Sequence, residues 1–144
     1  MRRSYAIFLL AAAGVFLIDQ SLKELFVSGF YWESDCLTLG FTLNRGVAFS
    51  MLEFLGGWLK WILAILIAAG TLYAFAKGYI KTHPLLLGTL LGAAGGNLWD
   101  RFLHGGVVDY VYWHCGFEFA VFNFADVMID VSVVGLLVAS FKKK

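Results

Sequence analysis

The sequence predicts an all-α integral membrane protein, four transmembrane helices with a small extracytoplasmic β element, on three observations. The 144 residues are 60% hydrophobic and 15% charged, where a soluble domain has roughly 45–50% and about 25%. The apolar residues gather into four long runs, and a bilayer core about 30 Å thick needs roughly 20 such residues in a helix. Lys and Arg fall mostly on one side of the topology those runs define. The length suits one domain, so a single membrane-embedded domain over residues 1–144 is expected. The net charge of +1 hides an uneven distribution and says little about partners, but the absence of a basic stripe interleaved with exposed aromatics and of any nucleic-acid motif argues against a nucleic-acid partner.

The first span, about residues 5–27, follows Arg2 and Arg3 and contains Ala11, Ala12 and Ala13, features shared with a cleavable signal peptide. The apolar run nevertheless continues into the polar turn Asp19-Gln20-Ser21-Leu22-Lys23, so an uncleaved span is the favoured reading. An outer loop over about residues 30–57 is too long for a simple turn. Its stretch Leu37-Thr38-Leu39-Gly40-Phe41-Thr42-Leu43 alternates and is rich in β-branched and aromatic residues, which predicts a small sheet. The second span, about 58–76, is interrupted only by Lys60, and the third, about 84–103, opens on Pro84, where a missing N–H costs nothing. Residues 107–113 have β character and either join the sheet or rest on the membrane surface. The fourth span, about 119–141, closes on Lys142, Lys143 and Lys144.

Orientation follows from the excess of Lys and Arg on the cytoplasmic side of membrane proteins. Arg2, Arg3, Lys77, Lys81 and the three terminal lysines share one side, whereas the other side carries Arg45. Both termini are therefore expected in the cytoplasm. Trp32, Tyr110, Tyr112 and Trp113 suit the outer interface as aromatic anchors.

A charge near the bilayer centre costs about 2.5–3.5 kcal/mol on insertion scales, so those retained usually face a cavity and often serve function. Asp19 and Lys23 lie four apart on one helix face, Asn97, Asp100 and Arg101 cluster at the outer end of span three, and Asn123, Asp126 and Asp130 lie on span four. With Asp109 these gather at the outer face, apart from the deeper Asp130. For Asp19, Lys23, Asp100 and Arg101 the plainer reading is that opposite charges tie helices together. Asp109 and Asp126 have no evident local cation. Two such carboxylates at close range share a proton, which leaves one to activate water and the other to polarise a carbonyl, the chemistry of aspartic peptidases. A proton-coupled carrier also concentrates carboxylates in a membrane, but below Asp130 span four offers only Ser132 and Ser140 as polar groups. A non-catalytic membrane scaffold would not need both aspartates. Asp130, one turn below Asp126, is expected to look into the bundle, either protonated and hydrogen-bonded or paired with a cation such as Lys23.

Asp19-Gln20-Ser21-Leu22-Lys23, Asn44-Arg45-Gly46-Val47-Ala48-Phe49-Ser50, Gly96-Asn97-Leu98-Trp99-Asp100-Arg101, Val107-Val108-Asp109-Tyr110 and Phe122-Asn123-Phe124-Ala125-Asp126 follow one another along nearly the whole chain. In order and spacing they resemble the lipoprotein signal peptidase family, signal peptidase II. The resemblance implies a metal-independent aspartic endopeptidase with no cofactor. It would cut before the diacylglyceryl-modified cysteine of a prolipoprotein in the bacterial inner membrane, near the extracytoplasmic face. It implies Asp109 and Asp126 as the catalytic pair, Asn44, Asn97, Arg101 and Asn123 as residues lining the site, and Asp19 and Lys23, with Asp100 beside them, in support. Membrane lipid and globomycin-type cyclic peptides are the further implied partners, and a monomer the expected state. The glycines of the outer loop would let it close over substrate. The chain departs from the family pattern at Gly92-Ala93-Ala94-Gly95-Gly96, at Val127 and at Asp130.

Cys36 and Cys115 both fall on the oxidising side, and a disulfide and two free buried thiols remain open readings. His104, His114 and Cys115 lack the ligand spacing of the usual zinc sites, so no metal is expected. His83 before Pro84 reads as a loop residue.

Overall fold

The computed structural model describes residues 2–47 and 51–142. Helix α1 runs over Arg2–Val27, α2 over Trp58–Ala76, the short α3 over Tyr79–Thr82, α4 over Pro84–His104 and α5 over Phe124–Phe141. Strands β1 (Trp32–Glu33), β2 (Leu37–Asn44) and β3 (Val107–Trp113) form one antiparallel sheet in that order, so residues 107–113 join the loop strand. Residues 48–50, the end of the Asn44 motif block, lie outside the described residues.

Among the described residues, α1, α2 and α5 are long and apolar enough to cross a membrane. The third expected span, α4, has the length, at 21 residues, but falls short in apolarity. The reason is its position. α4 packs against α1, α2, α5 and β3, so its small and polar residues face protein: Gly88, Gly92, Ala93, Gly96, Asn97, Asp100 and Arg101 are all buried. Gly88, Gly92 and Gly96 recur every fourth residue against α1. A methyl group at Gly88 or Gly92 would run into the backbone carbonyls of Phe8 or Ala12, and one at Gly96 into the Asp19 carboxylate. Small residues at such spacing let helix backbones approach closely in a membrane. The peripheral α2 buries only Leu59 and Ala74 and exposes Trp61, Ile65, Leu66 and Leu72, an apolar surface that suits lipid.

The fourth expected span begins later than residue 119. Asn123 caps α5: its side chain accepts from the Asp126 N–H, and the Asp126 carboxylate accepts from the Asn123 N–H. This capping box fixes the first turn of the helix and leaves the preceding segment extended, with Phe122 bridging to Val111. The sheet sits over the ends of α1 and α5 on a cluster of Phe26, Val108 and Tyr110, with Leu22, Leu39, Val111 and Phe124 around it. Tyr110 is therefore a core residue and not an interfacial anchor. Its ring stacks on Phe26 at 4.2 Å, and its hydroxyl accepts from the Phe124 N–H. Trp32, Trp113 and Tyr112 keep partial or full exposure.

Two glycines make the turn from α4 into β3. Gly105, with φ of 73°, takes the left-handed conformation that ends a helix, and a Cβ on Gly106 would crowd the Asn44 carbonyl at 2.7 Å. Cys36 and Cys115 form a disulfide that joins the start of β2 to the end of β3. His114 bonds Thr38 and Cys36 is bonded through its carbonyl to the His114 N–H, so these groups fasten the far end of the sheet.

Candidate active site

Asp109 reaches the site from β3, where it lies opposite Thr42, and Asp126 from the first turn of α5. Asn123 links them: its side-chain N–H₂ donates to Asp109 Oδ1 at 2.7 Å, and its backbone N–H donates to Asp126 Oδ2 at 3.0 Å. Asn97 on α4 donates to Asp126 Oδ1 at 2.9 Å, and Asn44 at the end of β2 donates to Asp109 Oδ2 at 3.2 Å. Asp109 is buried and Asp126 half-buried. Burial, followed by the nearby Asp126 charge, pushes the Asp109 carboxyl up to about 7, against the hydrogen bonds of Asn44 and Asn123. A carboxyl with that affinity keeps its proton where an ordinary one has lost it.

Behind the pair lies a buried ionic knot. Lys23 meets Asp19 at 2.7 Å and Asp100 at 2.8 Å and also donates to Asn97 Oδ1 at 2.8 Å. Because Lys23 and Asn123 both donate to Asn97 Oδ1, the amide of Asn97 is turned so that its N–H₂ faces Asp126. Gln20, quoted in its motif but assigned no role there, donates to Asp19, to Asp100 and to the Gly96 carbonyl. Its position next to Asp19 in the block was the available signal. Asp100 also accepts from the Val108 N–H, which anchors the strand that carries Asp109.

Arg101 is buried without a carboxylate ion pair among the described residues. It donates to the carbonyls of Asn97 and Gly46, and its Nε has no partner. It therefore ties the outer loop to α4 and does not neutralise a neighbouring acid by direct contact. Asp130 faces the groove between α2, α4 and α5, as expected of a residue looking into the bundle, but it lacks the expected partner: its side chain is exposed and, among the described residues, makes neither a hydrogen bond nor an ion pair. Lys23 is already occupied by two carboxylates and an amide on the other side of Asn97.

Asn44, Asn97, Arg101, Asp109, Asp126 and Asp130 all open onto a groove of about 490 Å³. Its remaining walls are mainly apolar, from Leu63 and Ile67 of α2, Leu98 of α4, Ile129 of α5 and the extended Phe119 and Phe122. The aromatic segment before α5 and the face of α2 carried no motif in the sequence. Two neighbouring carboxylates facing one mainly apolar groove can hold one proton between them and act together as acid and base on a bond laid across them.

The model of the signal peptidase (SPase) II family, Peptidase_A8, matches residues 11–142. The lipoprotein signal peptidase of Sulfurovum sp. is 55% identical over 136 residues, covering 94% of this chain and 93% of that protein. That of Wolinella succinogenes is 51% identical over 143 residues, with 99% and 95% covered. A solved chain described as a bacterial membrane enzyme obtained by the in meso method superposes with a TM-score of 0.79 at 27% identity, covering 95% of this chain and 94% of the other.

Proposed function

Because the chain belongs to the signal peptidase II family, we propose that Asp109 and Asp126 are its catalytic pair. The chain is a protease that removes signal peptides from prolipoproteins, and the aspartic type fits its family. The observation that carries the residue assignment is the Asn123 side chain and backbone holding both carboxylates at one groove. One carboxylate draws a proton from water as it attacks the scissile carbonyl, and the protonated partner donates a hydrogen bond to the carbonyl oxygen. Asn44, Asn97 and Asn123 position the pair, Arg101 anchors the outer loop, and Asp19, Lys23 and Asp100 support Asn97 from behind.

The finer reading is a single domain of four spans, with α4 as the central one, both termini in the cytoplasm and the pair near the extracytoplasmic face of the bacterial inner membrane. Arg2, Arg3, Lys77, Lys81 and Lys142 lie at the end of the bundle away from the sheet, which supports this orientation. A cut placed before a diacylglyceryl-modified cysteine follows, since the lipid holds that cysteine at headgroup depth. Globomycin-type cyclic peptides would compete for the same groove, and one chain carries the whole site, consistent with a monomer.

The test is cleavage by the purified protein in detergent of a precursor with and without the diacylglyceryl group, the cut located by mass spectrometry. Cleavage before the lipidated cysteine alone, unaffected by chelator, is expected. Loss of activity in chelator, or equal cutting of the unlipidated precursor, would contradict the reading.

The rate should also fall as pH rises through about 7. Below that pH Asp109 keeps its proton, and above it Asp109 has lost the proton it would offer the carbonyl. A pH–rate profile on the lipidated precursor checks this; a rate still level at pH about 9 would place the working acid elsewhere.

A further inference from the structure

Resting on that assignment of the pair, we propose that Asp130 is a substrate-positioning residue whose carboxylate accepts the backbone N–H of the substrate residue about two places before the scissile bond. A signal peptide crosses the bilayer as a helix, with its N–H groups bonded within the helix. To lay a peptide bond across two carboxylates the chain must open to an extended form, which frees N–H groups inside an apolar groove where an unpaired donor is unfavourable. The acceptor the groove offers below the pair is Asp130, exposed and free of any hydrogen bond or ion pair among the described residues.

Its depth fits this use. Asp130 lies one turn beyond Asp126 on α5, about 6 Å along the axis at 1.5 Å per residue, on the side away from the sheet. An extended chain covers that distance in about two residues at roughly 3.3 Å each. Because the signal peptide lies deeper than the lipidated cysteine, those residues belong to its own C-terminal end. On the other side of the Asn97–Asp126 bond, one turn along α4, Arg101 lines the same groove but gives its guanidinium to the carbonyls of Asn97 and Gly46, so among the described residues the unengaged polar side chain beside the pair is that of Asp130. Val127, on the turn between Asp126 and Asp130, has no polar side chain to take this part.

The experiment pairs a change in the enzyme with a change in the substrate. A lipidated precursor peptide is compared with an analogue in which the N–H of the second residue before the cut is replaced by an ester oxygen, using the parent protein, Asp130→Val and Asp130→Asn. The parent should lose about tenfold in kcat/KM on the ester, mostly through KM, as expected for one charge-assisted hydrogen bond. Asp130→Val should lose a similar factor on the amide substrate and be indifferent to the ester, and Asp130→Asn, whose amide oxygen still accepts, should recover most of the loss. Equal ester penalties in the parent and Asp130→Val, or Asp130→Asn as impaired as Asp130→Val, would overturn the proposal, and so would loss of kcat on the scale of the dyad variants. Full activity of Asp109→Asn would instead remove the dyad assignment, whatever the ester series gives.

Discussion

Asp109→Asn and Asp126→Asn should each lower the cleavage rate by at least about 100-fold, the scale of losing a positioned acid or base, while the protein still inserts and folds. An amide matches the carboxylate in shape but cannot take up or release the proton that the two groups exchange. The substitution is not wholly silent structurally. Both oxygens of Asp126 accept hydrogen bonds, from Asn97 and from the Asn123 N–H, and both oxygens of Asp109 accept from Asn44 and Asn123. In each variant one N–H₂ faces a donor, at a cost of about 1–3 kcal/mol. Rates should therefore be taken well below the melting temperature, with thermal unfolding measured beside them. Turnover within tenfold of the parent by either variant would remove that residue from the pair.

The second large effect is on stability. Lys23→Met should destabilise the protein by about 3–5 kcal/mol, the range for breaking a buried ion pair by removal of one partner. Lys23 is 2% exposed, and its ammonium lies between Asp19 at 0% and Asp100 at 1%. Without it two buried carboxylates face each other, Gln20 alone bridging them, and Asn97 loses one of the two donors that turn its amide toward Asp126. Lys23→Met combined with Asp19→Asn and Asp100→Asn should recover much of the stability, since the unpaired charges go with their partner. Melting curves in detergent compare the three proteins. A single variant that melts with the parent would show that the knot contributes little.

Elements whose determinants are local are legible in the amino-acid sequence, and those set by contact are not. The second span, expected at about 58–76, is α2 at Trp58–Ala76 because one apolar run, broken only by Lys60, defines it. The start of α5 was placed about five residues early because Phe119 to Phe122 are as apolar as a span, and only the Asn123–Asp126 capping box shows that the helix begins after them. α4 carried a span's length without a span's hydropathy, which makes sense only once its neighbours are known. Asp19 and Lys23 were legible as a pair from their spacing, but Asp100 as the second partner of Lys23 required the packing of α1 on α4. Of the two states expected for Asp130, protonated and hydrogen-bonded or paired with a cation such as Lys23, the pairing does not form, because Lys23 points to the opposite side of Asn97. The Cys36–Cys115 bond joins positions 79 residues apart and depended on the pairing of β2 with β3. Tyr110 read as an interfacial anchor because a β-strand's buried face depends on what covers it, here Phe26 and the start of α5.

The most direct measurement of whether Asp109 and Asp126 act as one unit is a structure of the protein bound to a lipidated peptide whose scissile amide is replaced by a hydroxyethylene group. The hydroxyl stands in for the attacking water and the tetrahedral carbon's oxygen. It should lie within about 3 Å of an oxygen from each of the two carboxylates, with the deeper residues of the peptide running down the groove past Asp130. A hydroxyl bonded to only one of them, or a peptide seated away from the pair, would contradict the assignment.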